Sequence, residues 1–97
     1  GDVYKRQAYC VGSDAMASKI LETVRKIQGN KVLALFPELT CALDLQVALA
    51  LADADVQVYT GIKLPVDGSE KMVEAVEKRI HYCAPKDFEH RITEFLG

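Results

Sequence analysis

Lys31-Val32-Leu33-Ala34-Leu35-Phe36, closed by Pro37, is a near-continuous apolar run. A strand wetted on one face alternates polar and apolar residues. A run without alternation suits a strand covered on both faces, which is the habit of parallel sheets. Helical patterns flank the run. Before it, Met16, Ile20, Val24 and Ile27 recur on one helical face, with Ser13 or Asp14 as N-cap, Glu22 and Lys26 as an i,i+4 pair, and Gly29 at the stop. Ala8-Tyr9-Cys10-Val11 reads as a short strand ahead of that helix, ended by Gly12-Ser13-Asp14.

After the run, Thr40 is placed to cap a helix over roughly 41–54, in which only Asp44, Gln46 and Asp53 are clearly polar. A helix apolar almost all round is either deeply buried or faces another subunit, and in so short a chain an interface is the expectation. Val56-Gln57-Val58-Tyr59 follows as a third strand and opens into Thr60-Gly61-Ile62-Lys63-Leu64-Pro65. Asp67-Gly68-Ser69 then starts a helix with an inner stripe of Val73, Val76 and Ile80. Its outer face carries Glu70, Lys71, Glu74, Glu77 and Lys78, with Glu74 and Lys78 paired as solvated surface. A last helix, beginning near Asp87 after Pro85, presents Phe88, Ile92, Phe95 and Leu96. Strands alternating with helices across short links predict an α/β fold: three layers, α/β/α, around a mostly parallel central sheet of βα units.

Composition narrows the class. The chain has 97 residues, 49% of them hydrophobic and 27% charged. Its mean hydropathy is +0.02. Those values fit one small globular core and exclude a disordered chain or a collagen-like repeat. A net charge of −2 argues against a nucleic-acid partner or an anionic-membrane surface. Cys10, Cys41 and Cys83 are odd in number and lack CxxC spacing, so no disulfide framework, zinc site or other metal centre is implied. No cofactor is implied either. With no signal-peptide pattern and no apolar run of about 18 residues, the reading is a cytoplasmic protein without membrane insertion.

The front end reads differently. Asp2-Val3-Tyr4-Lys5-Arg6-Gln7 translates back as GAT GTG TAT AAG AGA CAG, a string that looks like a transposon end used as a sequencing adapter. Residues 1–7 are therefore expected to be a fusion scar, and residues 8–97 a single α/β domain.

In a parallel sheet, ligands bind beyond the carboxyl ends of the strands, where loops feed helix starts and free N–H groups favour anions. Three loops qualify: Gly12-Ser13-Asp14, Pro37-Glu38-Leu39-Thr40 and Thr60 to Pro65. Ser13, Thr40 and Ser69 read equally well as plain caps. In the third loop, Gly61 admits positive φ or close approach of a partner backbone, Lys63 offers a movable cation, and Pro65 keeps the helix from starting earlier. Cys10, at a strand end before a turn and a helix, is a candidate nucleophile, with a small buried hydrophobe as the plainer reading. His81 and Cys83 are too sparse for a metal site, and His90 lies on the polar side of its helix.

With this order of elements assembled, Val56-Gln57-Val58-Tyr59-Thr60-Gly61-Ile62-Lys63-Leu64-Pro65 resembles the V-x-V-I-T-G-V-N-L-P-M-L segment of the mannose-type IIA domains of the bacterial phosphotransferase system (PTS). Val32 to Thr40 stands where that family has V-L-x-L-x-D-L-F-G-G-[ST]-P, and the resemblance extends from Ala8 to Leu96. It implies a mostly parallel sheet, a homodimer, and phosphoryl relay from a small phosphocarrier protein through a histidine to a IIB partner during sugar uptake. Thr40, Thr60, Gly61, Lys63 and Pro65 fall on the family's active-site rim, with Ser13, Asp14, Glu38 and Cys10 as weaker candidates.

The departures are as specific. The family's histidine follows its first strand in an [ST]-H-G setting; this sequence contains no such segment, so no catalytic residue is assigned. The expectation is that the chain is the back portion of a IIA-type domain whose first strand and histidine precede it, leaving an exposed sheet edge. Leu35 or Ala34 stands near the place of the family's loop acid, Glu38-Leu39 near the paired glycines, and Lys63 at the asparagine. Two alternatives remain: a IIB-like phosphocarrier using Cys10, and a non-catalytic dimerising or regulatory α/β domain built on the apolar helix.

Overall fold

The computed structural model describes residues 6–26, 31–39, 42–63 and 70–97. Its elements in order are β1 (Arg6–Cys10), α1 (Asp14–Lys26), β2 (Lys31–Phe36), α2 (Ala42–Asp53), β3 (Gln57–Thr60), α3 (Glu70–Arg79), β4 (Ile80–Tyr82), a 3-10 turn (Pro85–Asp87) and α4 (Phe88–Leu96). The four strands form one sheet in the order β1-β2-β3-β4, every neighbouring pair parallel. The α/β expectation holds.

β2 explains why. Val32 through Phe36 are all 3% exposed or less. Val32, Ala34 and Phe36 enter one apolar cluster with Ala17 and Ile20 of α1, Ala48 and Leu51 of α2, and Val76 of α3. Leu33 and Leu35 enter a second cluster with Cys83, Phe88, Ile92 and Phe95. The strand alternates between two apolar environments, so its sequence shows no polar face.

The strand order runs monotonically, so crossovers of one hand bring α1, α2 and α3 to the same side of the sheet. α2 lies between α1 and α3 and also packs on β3. From Leu45 onward its apolar residues have partners within the chain: Leu45, Val47, Leu49 and Ala52 pack against the first cluster around the buried Ala48 and Leu51. Contacts within the chain therefore account for the apolar character of residues 45–52.

Local signals behave as read. The Ser13 hydroxyl accepts the Met16 N–H at 3.2 Å and caps α1, while Arg25 and Lys26 meet the negative end of its dipole. Glu22 and Lys26 pair at 3.4 Å, and Glu74 and Lys78 at 2.9 Å, all four side chains exposed. After α2, Asp55 takes φ 65°, and the Val56 and Asp55 amides bond the Leu51 and Ala52 carbonyls. This stop turns the chain directly into β3.

Three boundaries and one burial differ from the sequence reading. β1 begins at Arg6, opposite Lys31, rather than at Ala8. Val11 lies beyond β1 but its amide still bonds the Leu35 carbonyl at 2.7 Å. Ile80, placed on the stripe of α3, is the first residue of a fourth strand and pairs with Val58. Leu96, read as an inward residue of the last helix, is half exposed. The expectations resting on Ile27, Gly29, Thr40, Leu64, Pro65, Asp67, Gly68 and Ser69 lie outside the described residues.

Candidate functional site

The carboxyl ends of all four parallel strands point to one edge. Among the described residues, concavities open there between β1 and β2 and beside β3 and β4. Between β1 and β2, Val11, Gly12, Ser13 and Asp14 face Phe36 and Glu38 around a cleft of about 40 Å³. This is room for about one water molecule. Ser13 spends its hydroxyl as the α1 cap, and Asp14 and Glu38 make the rim acidic. The positive end of the α1 dipole is thereby offset, and the cleft does not favour an anion. Cys10 is exposed on the edge strand and does not line this cleft.

Between β3, β4 and α3 the edge opens into a cavity of about 360 Å³. Val76 and Ile80 supply buried apolar surface to it, and Ile62 and Thr60 its β3 side. Lys63, Glu77 and Tyr82 bring the charged and aromatic groups. Tyr82 is 48% exposed, and the Lys63 ammonium lies 5.8 Å from its ring centroid. That placement is a cation–π contact at a wet surface.

Thr60 and Gly61, the two residues on which the family resemblance leans most, are engaged inside the fold. Thr60 is 2% exposed; its hydroxyl donates to the Ile62 carbonyl at 3.1 Å and accepts the Ile62 amide at 3.3 Å. The Gly61 amide bonds the Phe36 carbonyl at 2.7 Å. A Cβ on Gly61 would stand 2.8 Å from the Pro37 carbonyl oxygen, 3.0 Å from Pro85 and 3.1 Å from Phe88. The backbone that comes close to Gly61 is the chain's own, not a partner's. Of the rim residues, Lys63 remains exposed and free to meet a ligand; Thr40 and Pro65 lie outside the described residues.

Behind the cavity, Tyr59 and His81 pair across the strands with ring centroids 5.8 Å apart. Arg91 of α4 lies 4.8 Å from the Tyr59 centroid. Its hydrogen bond to Cys83 and the neighbouring Tyr59 raise its pKa above the usual value. The group is charged at any working pH and pins α4 to this part of the sheet. His81 borders the cavity, whereas His90 sits 3.7 Å from Glu94 on the exposed side of α4.

Sequence reasoning missed Tyr82 and the cavity role of Glu77. Both depend on β4, a three-residue strand that follows α3 without a break. Ile80-His81-Tyr82-Cys83 alternates behind the basic helix end Lys78-Arg79, but over too few residues to mark a strand apart from the helix. Among the described residues no group of three His, Cys, Asp or Glu could hold a metal ion, and no helix is long and apolar enough to cross a membrane.

With this geometry established, the chain was compared with protein-family models, curated proteins and solved structures, and none of the three comparisons returns a match.

Proposed function

We propose that the chain is part of a phosphotransferase-system IIA-type phosphocarrier domain. It acts in the cytoplasm in a relay from a phosphocarrier protein, through a histidine outside these residues, to a IIB partner during sugar uptake. The observation that carries the reading is the position of Thr60-Gly61-Ile62-Lys63. It leaves the carboxyl end of a parallel strand beside the Pro37–Leu39 loop, the two segments that resemble the family's rim.

In such a relay the phosphoryl group leaves one histidine nitrogen as the next nucleophile bonds to phosphorus. The protein's work is positioning and charge neutralisation. The Gly61 and Ile62 amides are spent on the Phe36 carbonyl and the Thr60 hydroxyl, so the Lys63 ammonium carries that neutralisation on this loop. The homodimer belongs to the same proposal, with an interface other than the buried side of α2.

The uninterrupted coding sequence through Ala8, followed by phosphoryl transfer from the general PTS proteins to the longer chain, tests the reading. An upstream strand ending in histidine and an acid-labile label, lost on replacing that histidine and reduced in Lys63→Ala, supports it. An upstream sequence with no such histidine overturns it. So does an acid-stable label lost in Cys10→Ser, which would assign the chain to the IIB kind instead.

A further inference from the structure

We infer that the cavity between β3, β4 and α3 is a small-molecule site for a monoanionic carboxylate with an aromatic or apolar body. This is independent of the relay, which is an exchange between proteins. A volume of about 360 Å³ lies within the range of small-molecule pockets, roughly 300–1,000 Å³. Its interior surface is apolar where Val76 and Ile80 line it, and Thr60, Lys63, Glu77, His81 and Tyr82 bring its polar groups. Tyr82, which lines the cavity, leaves half of its surface uncovered, so an aromatic or apolar ligand has ring surface to contact.

Lys63 fixes the sign of the ligand's charge. Its ammonium lies over the Tyr82 ring, 5.8 Å from the centroid, so a molecule seated against the uncovered part of Tyr82 brings an attached anionic group within reach of it. Glu77 of α3 fixes the amount. It lines the same cavity, and a dianion such as a phosphate monoester meets its carboxylate as well as the Lys63 ammonium. A carboxylate, with one charge, meets less of that repulsion and still pairs with Lys63. Thr60 does not compete for the ligand, because its hydroxyl is committed to the Ile62 backbone on both sides.

The test is an amide NMR titration of the 97-residue chain with phenylacetate, phenyl phosphate and 2-phenylethanol. Phenylacetate should bind with a dissociation constant of about 1 mM, shifting the amides of Lys63, Val76 and Tyr82 together. The alcohol and the phosphate should each bind about fivefold more weakly, and Lys63→Ala should weaken phenylacetate by about the same factor. Tyr82→Phe should bind as the parent does, whereas Tyr82→Ser should lose about fivefold, since the ring and not the hydroxyl is the contact. Glu77→Gln should bring phenyl phosphate to within about twofold of phenylacetate. No saturable shift below about 20 mM, equal binding of the alcohol, or an unchanged affinity in a folded Lys63→Ala protein overturns the assignment. None of these outcomes depends on a phosphorylatable histidine, so this site and the relay stand or fall separately.

Discussion

The β1–β2 mouth is a cleft of about 40 Å³ with two carboxylates on its rim, whereas the β3–β4 mouth is a cavity of about 360 Å³ with a lysine and a half-exposed tyrosine. Both sit at carboxyl ends of parallel strands in one sheet, so strand direction does not distinguish them. The connections do. α1 starts directly after residues 11–13, and its capped first turn is drawn over the end of β1. β3 and α3 are separated by residues 61–69, and α3 runs into β4 without a link. The short connection spends its polar groups on capping. The wide mouth is walled instead by Val76 and Glu77 of α3 and by Ile80, His81 and Tyr82 of β4. Since the strand order never reverses, no crevice is dictated by topology.

Gly61 is the seam between the two mouths, and changing it should have the largest effect. Gly61→Ala places a methyl group against the Pro37 carbonyl and the Pro85 and Phe88 side chains, and should cost about 2 kcal/mol in urea unfolding. Because that carbonyl belongs to the β2 loop, amide shifts should appear at both mouths. A purely local effect at β3 would show that the two are not mechanically joined. Ser13→Ala should cost about 1 kcal/mol through loss of the α1 cap, with phenylacetate binding at the wide mouth unchanged. A change in that binding would break the separation. Smallest in stability are the rim charges: Lys63→Glu and Glu38→Gln should each stay within about 0.5 kcal/mol of the parent in thermal unfolding. They should still differ in function, with only Lys63→Glu abolishing the phenylacetate shifts.

Much of the fold was legible in the residues. The unbroken apolar run of β2, the Ser13 cap and the two exposed Glu–Lys pairs all depend on contacts within a few residues or on simple two-sided burial. β4 was not legible, because three residues carry too little periodicity to separate them from the helix they follow. The composition of α2 was visible, but its neighbours were not: an apolar helix reads the same whether α1 and α3 or a second subunit covers it. The candidate site was legible in part. Lys63 stands exposed at the carboxyl edge as read, while Thr60 and Gly61 turn out to hold the loop itself.

The sequence alone determined an α/β chain with a central strand buried on both faces, because burial and helical spacing are written in the order of residue types. Only the tertiary structure decided which helices share a face, that Ile80-His81-Tyr82 is a strand, and that Lys63 and Glu77 meet Tyr82 around one cavity. Those facts rest on packing between residues distant in the chain, set by connection length and strand order. No local pattern in the residues carries that information.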